Sequence, residues 1–191
     1  MKVLILNGAK VFGSSNGELN TLLCDTAKTE LESLGHTVLY TKIDAGYNIS
    51  EEAKKVLDAD VIIWQYPAWW MAEPWIVKKY LDEVFMEAAA GLLSSDGRHA
   101  NDPEHGYGSG GLTVNKKYMI CTTWNAPKTA FDDKNEFFEG RGIDGVCFAM
   151  HKAMQFCGLK KLPSFICNDV IKNPKVNDYI KNYKAHIKAN F

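Results

Sequence analysis

Arginine is almost absent. Of 22 basic residues only Arg98 and Arg141 are arginine, whereas surfaces that read phosphate favour its planar fork. Excess charge of either sign is missing too. The formal net charge is −1, so neither nucleic acid nor an anionic membrane is indicated as the main partner. No apolar stretch approaches the ~20 residues of a membrane span. The opening run Val3-Leu4-Ile5-Leu6 is too short for the apolar segment of a signal peptide and is followed by a turn, so it reads as a strand. We therefore expect a cytoplasmic protein with no stable membrane insertion. Metal chemistry lacks its usual ligand spacings: five histidines are scattered, and neither H-x-H nor H-E-x-x-H occurs. The five cysteines include no C-x-x-C pair. Cys24, Cys121, Cys147, Cys157 and Cys167 each lie within an apolar segment, where a thiol acts as a small core hydrophobe.

What is present is a chain of 191 residues, 46% hydrophobic and 24% charged, ordinary for one globular domain that buries a core without crosslinks. Apolar runs alternate with helical periodicity. Strands are expected at 2–6, 37–43, 61–65, 117–123 and 165–168, and helices at 17–34, 50–57, 75–85, 145–156 and 179–187. In the first helix Leu19, Leu22, Leu23, Ala27, Leu31 and Leu34 fall at helical spacing, with Gly35 placed to cap its end. Ser50 before Glu51-Glu52 reads as an N-cap, and Pro74 suits the first turn of a helix. Strands apolar on both faces and alternating with helices specify a parallel sheet covered on both sides. Five of them fit a flavodoxin-like α/β fold: a five-stranded parallel sheet of order 2-1-3-4-5 flanked by helices on both faces, with 1–191 as a single domain. The order follows from the fold class, not from the residues. Residues 87–115, rich in Gly, Ser, Asp and Asn, form the one long irregular segment. Its place between the third and fourth strands, beside a tryptophan-rich loop, favours a functional role.

In an open parallel sheet, ligands bind outside the carboxyl ends of the strands where the strand order reverses. For this order the relevant loops follow strands one, three and four. The first, NGAKVFGSSNGELN at 7–20, brings glycine, serine and asparagine to a helix start, where free backbone N–H groups hold phosphate. This loop is neither G-x-G-x-x-G nor G-K-[ST], so it supports no Rossmann dinucleotide site and no P-loop. The second, QYPAWWMAEPW at 65–75, carries Trp69 and Trp70 out of a buried strand, suited to packing on a flat ring system. Trp75, within a helix, reads as core or dimer packing. The third, TTWNAP at 122–127, offers hydroxyl, indole and amide groups to the polar edge of a heterocycle. Phosphate plus a planar ring describes a flavin nucleotide.

Over essentially its whole length the chain resembles the flavodoxin-like NAD(P)H:quinone reductases, in particular a bacterial subgroup. The stretches NGAK, SNGELN, WQYPAWWMAEPW, SDGR, YGSGGL, TWNAP and GVCFAMHKAMQFCG carry the resemblance. The P-x-x-W motif before a helix ending in V-F is shared with the wider family, while TWNAP and YGSGG are more specific to the subgroup. The resemblance implies FAD as cofactor, NADPH or NADH as electron donor, a quinone substrate, a homodimer, and two-electron ping-pong kinetics. It implies that the pyrophosphate and adenine side of FAD lies on Ser15, Asn16, Gly17, Glu18, Leu19, Asn20, Thr21 and Leu22. The ring system is implied to lie along Ala68, Trp69, Trp70 and Met71 on one side and Thr123, Trp124, Asn125 and Ala126 on another. Tyr107 matches a flavin-contacting position and is a candidate to position substrate or donate a proton. His151 is a weaker candidate, better suited to a structural hydrogen bond. Mammalian relatives carry Thr-Thr-Gly-Gly where this chain has Thr122-Thr123-Trp124-Asn125, so Trp124 is expected to reshape the pocket.

Rival readings share the fold. An FMN-dependent azo- or nitroreductase would differ in its bound flavin. A one-electron carrier of flavodoxin type would be strongly acidic, which a net charge of −1 argues against. A flavin-binding regulatory accessory subunit of a membrane transporter would associate stably with a membrane fraction.

Overall fold

Alternate residues of the central strands enter opposite apolar layers. In the computed structural model, which describes residues 1–13 and 15–191, this holds for β1 (Lys2–Asn7), β3 (Val61–Pro67) and β4 (Lys117–Thr123). Leu4, Leu6, Ile62, Trp64, Tyr66, Tyr118 and Ile120 face one layer; Val3, Ile5, Val61, Ile63, Met119 and Cys121 face the other. The first layer is closed by α2 (Ile49–Asp58), α3 (Trp75–Glu87), α4 (Ala89–Leu92) and α7 (Phe148–Phe156), through buried residues such as Val56, Val84, Leu92 and Met154. The second is closed by α1 (Glu18–Ser33) and α8 (Val176–Asn190), through Leu23, Ala27, Leu31, Tyr183 and Ile187. Ser14, in the first of the three loops, lies outside the described residues.

Every strand pair is parallel, and the sheet runs β2 (Thr37–Lys42), β1, β3, β4 and then a fifth position. The expected order therefore holds, with one difference at its edge. The fifth position holds two short strands, β5 (Lys160–Lys161) beside Lys117–Tyr118 and β6 (Phe165–Cys167) beside Cys121–Thr123. Pro163 stands between them and has no N–H for the ladder.

Three local expectations are corrected. The N-cap of α2 is Asn48, not Ser50: Asn48 is extended (φ −90, ψ 122), and its side chain accepts from the Glu51 N–H at 3.1 Å. Ser50 is already helical, and its hydroxyl donates to Glu87 instead. The helix expected at 145–156 is broken at Cys147 into α6 (Gly142–Val146) and α7. Part of the segment 87–115 is ordered: α4 opens it, and Ser94 N–H to Gly110 O and Leu112 N–H to Leu92 O clamp its two ends together. A further short helix, α5 (Lys128–Asp132), follows β4.

All five cysteines are free, and only Cys147 is more than slightly exposed. Burial pushes their thiols up, to about 12 for Cys121 and Cys167 and about 11 for Cys147 and Cys157, so none is a ready thiolate. No helix among the described residues is long and apolar enough to cross a membrane. Among the same residues no group of His, Cys, Asp and Glu could hold a metal ion.

Candidate functional site

The loops leaving β1, β3, β4 and β6 meet at the carboxyl edge of the sheet around a cleft of about 450 Å³, within the range of small-molecule sites. Its floor is the start of α1. Gly17 caps that helix at φ 74, and a Cβ there would come within 3.1 Å of Ala9 Cβ. With no side-chain cap, the N–H groups of Glu18, Leu19 and Asn20 have no acceptor among the described residues. Three such donors at the positive end of a helix suit a phosphate and need no arginine.

One wall is aromatic. The Trp69 ring lies 4.3 Å from that of Phe12 and 5.2 Å from that of Trp75. Trp75 is thus a half-exposed buttress of this wall, not a core residue. Trp69 N–H donates to Ala72 O at 2.9 Å and Ala72 N–H to Trp69 O at 3.2 Å. The turn between them places Trp70 at φ 48 and Met71 at φ 70. Two consecutive positive φ values define a type I′ turn, which normally calls for Gly or Asn. The turn uses up the Trp69 backbone groups and holds Trp70 92% exposed. Strain of this kind clusters at functional sites.

The opposite wall is polar. Thr123 accepts from the Asn20 side-chain amide at 2.9 Å, and its carbonyl accepts from Ala68 N–H at 3.0 Å. Asn125 Oδ1 accepts from the N–H groups of Ile171 (3.2 Å) and Lys172 (3.0 Å), tying the loop after β6 to the loop after β4. Among the described residues Glu18 is the only charged one of the lining. The donor set fits a flavin nucleotide: free helix-start N–H groups for phosphate, an aromatic face for a planar ring, and hydroxyl and amide groups for its polar edge.

The profile of the flavodoxin-like fold family matches residues 1–191. The chain is 50% identical over 191 residues to NADPH:quinone oxidoreductase MdaB of Haemophilus influenzae, covering 100% of both chains. It belongs to the flavodoxin-like quinone reductase family. Two solved structures share the fold of this quinone reductase. A NADPH-quinone reductase from P. pentosaceus has a TM-score of 0.67 at 17% identity, with 100% of this chain and 98% of that chain covered. General stress protein 14 of Treponema denticola, solved in complex with FMN, has a TM-score of 0.68 at 16% identity, with 100% and 99% covered.

Of the residues singled out from the sequence, Ser15, Asn16, Gly17, Glu18, Leu19, Asn20, Ala68, Trp69, Thr123 and Asn125 line the cleft of the quinone reductase. Thr21 and Leu22 lie one step beyond it on α1; Thr21 donates to Gly17 O, and Leu22 is exposed. Trp70 and Met71 are exposed and do not line it. The Trp124 ring turns inward, packing edge-on to Phe131 and Phe138 while its Nε1 donates to Thr122, and it does not line the cleft. The Ala126 carbonyl accepts from the Asp169 N–H and the Asn168 side chain. Tyr107 is not at the cleft. It stands 71% exposed on a separate apolar groove of about 490 Å³ between α3 and α7, its ring 5.3 Å from that of Phe156. His151 is buried under the sheet: Nδ1 pairs with the Tyr118 hydroxyl at 2.8 Å and Nε2 with Asp144 at 3.1 Å.

Sequence reasoning missed Phe12, Gly13, Pro67, Val170 and Ile171, which complete the lining. Phe12 sat in a loop read only for its small residues, and nothing in the residues after β6 indicates their approach to β4.

Proposed function

We propose that this chain is an FAD-dependent NAD(P)H:quinone oxidoreductase that reduces quinones to quinols by two electrons in a ping-pong cycle. We place it in the cytoplasm as a homodimer, one flavodoxin-like domain per chain. The observation that carries this reading is convergence: unpaired helix-start donors, an aromatic wall and a polar edge share one cleft. Full-length identity to a named NADPH:quinone oxidoreductase supports the reaction, and FMN in a fold neighbour supports a flavin.

A flavin bound here supplies the two-electron exchange between nicotinamide and quinone. The chain supplies position. Glu18, Leu19 and Asn20 N–H groups hold phosphate. The Phe12–Trp69–Trp75 wall excludes water from the ring, and Thr123 and Asn125 fix its edge. With a flavin bound, donor and quinone would reach it in turn through the open side of the cleft, which would give ping-pong kinetics. Tyr107 lies outside its own chain's cleft, so its role as substrate-positioning group or proton donor requires a second copy of the chain.

The test is the visible spectrum of the purified protein under anaerobic conditions, before and after NADPH and then menadione. A flavin spectrum that bleaches with NADPH and returns with menadione is expected. A colourless protein that takes up no flavin overturns the reading. Heat release of the bound flavin should yield FAD; FMN would favour the azo- or nitroreductase reading, and intersecting initial-rate lines would exclude the shared open side.

A further inference from the structure

Gln65 follows Val61 and Ile63 on one face of β3, yet it is polar and fully buried. Its Nε2 donates to Asn20 Oδ1 at 2.8 Å, and Asn20 Nδ2 donates to Thr123 Oγ1 at 2.9 Å. Gln65 Oε1 has no partner among the described residues. An apolar residue continuing that face would only pass the orphan to Asn20 Oδ1, so the linked pair of buried amides, with its one unmatched oxygen, calls for an explanation.

A chain of two amides and a hydroxyl has two self-consistent directions, because each amide can exchange its O and N. In the direction observed, donors run from Gln65 through Asn20 to Thr123. The orphan is a carbonyl oxygen, and the Thr123 proton is free to point into the cleft. Reversed, the Thr123 hydroxyl donates inward to Asn20, Asn20 donates to Gln65, and the Gln65 NH₂ is stranded. Buried orphan donors are rarer than under-satisfied carbonyls, and stranding a donor forfeits its full solvation. The observed direction therefore wins. The neighbouring Asn7 cannot relieve Gln65. Its Oδ1 accepts from Ala9 N–H, and its Nδ2 is committed to Thr21 and Tyr40. The Thr123 carbonyl is already satisfied by Ala68, so its hydroxyl is the group left for the cleft.

We propose that Gln65 is a positioning residue: acting through Asn20, it turns the Thr123 hydroxyl outward as a hydrogen-bond donor to an acceptor atom of the ring held in the cleft. The proposal rests on the flavin reading above. Gln65→Met keeps the volume and removes the donor, exchanging one orphaned carbonyl, Gln65 Oε1, for another, Asn20 Oδ1, and flavin-free full-length protein can be titrated with FAD and FMN by fluorescence. Q65M should melt no lower than the wild type and should bind flavin about tenfold more weakly, the ~1.4 kcal/mol of one hydrogen bond. T123V should lose the same amount, and the Q65M/T123V double variant no more than T123V alone. A merely structural glutamine would lower the melting temperature and give additive losses. Wild-type affinity in Q65M, or additivity with T123V, overturns the relay while leaving the flavin reading intact. A wild type that takes up neither flavin overturns the function proposed above, and the relay with it. Should Q65M not fold, Asn20→Asp accepts from both neighbours and turns the Thr123 proton inward. Its cycle with T123V must again be non-additive, and additive losses there overturn the relay.

Discussion

Met71 at φ 70 and Trp70 at φ 48 hold a conformation that costs a residue with a Cβ about 1–2 kcal/mol. Met71→Gly relieves one of the two. Urea unfolding should show stability unchanged or raised by up to about 1 kcal/mol, with quinone turnover kept, because glycine suits the turn that holds Trp70 exposed. A loss of stability would mean that the turn is not strained. His151 makes a second prediction. Burial lowers its pKa below the ordinary value, only partly opposed by Asp144. A base depressed in the folded state binds its proton more readily when unfolded, so its contribution is present above about pH 6.5 and is lost as pH falls through the folded value. Melting between pH 7.5 and 5 should therefore be shallower in H151Q than in the wild type, by at most one proton's worth, about 1.4 kcal/mol per pH unit. Equal slopes would remove His151 from the acid response. At this scale the sequence told which side chains are aromatic or small, and so placed Trp69 and Asn20 at the cleft. It could not tell that Trp124 faces inward, because that depends on Phe131 and Phe138 arriving from α5 and the segment beyond it.

Helices and strands were legible where burial imposes a period. β1, β3 and β4 are apolar on both faces because helices cover both, and such runs announce themselves without an alignment. The ends were less legible. Asn-Ile-Ser-Glu at 48–51 offers two cap-type residues within three positions, and the acidic pair after Ser50 favours the wrong one. The geometry predicts opposite outcomes for the two: Asn48→Ala should cost about 1 kcal/mol by removing the acceptor for Glu51 N–H. Ser50→Ala, losing only an exposed bond to Glu87, should stay within about 0.5 kcal/mol. Thermal melts of both variants decide it, and a larger loss in S50A would restore Ser50 as the cap. The split fifth strand belongs to the same class of miss. Pro163 is visible in the sequence, but only the pairing of Lys160–Lys161 and Phe165–Cys167 with one neighbour shows that both halves occupy one position in the sheet.

Two concave surfaces on one chain raise the question of how they work together. The cleft holds the polar and aromatic groups that suit a flavin. The groove between α3 and α7 is lined largely by apolar side chains, among them Leu81, Phe85, Met86 and Phe156, with Tyr107 at its edge. Met86 and Tyr107 are each more than two-thirds exposed, and exposed apolar clusters of this kind mark interaction sites. In the homodimer proposed above, a second copy covering the groove would bring Tyr107 to that copy's cleft, so that neither site would be complete in a single chain. Met86→Glu tests this without touching the cleft, because a carboxylate buried in an apolar interface is strongly unfavourable. Sedimentation should give twice 21.4 kDa for the wild type and 21.4 kDa for M86E. On that proposal the monomer should keep its flavin more readily than its turnover, because the helix-start donors would come from one chain and Tyr107 from the other. Its rate should fall below that of Tyr107→Phe, which loses one hydroxyl but keeps the covering ring. A monomer with wild-type turnover would make the site complete within one chain and return Tyr107 to a structural role. An M86E dimer would put the interface elsewhere on the surface, and the groove would then have to be explained apart from catalysis.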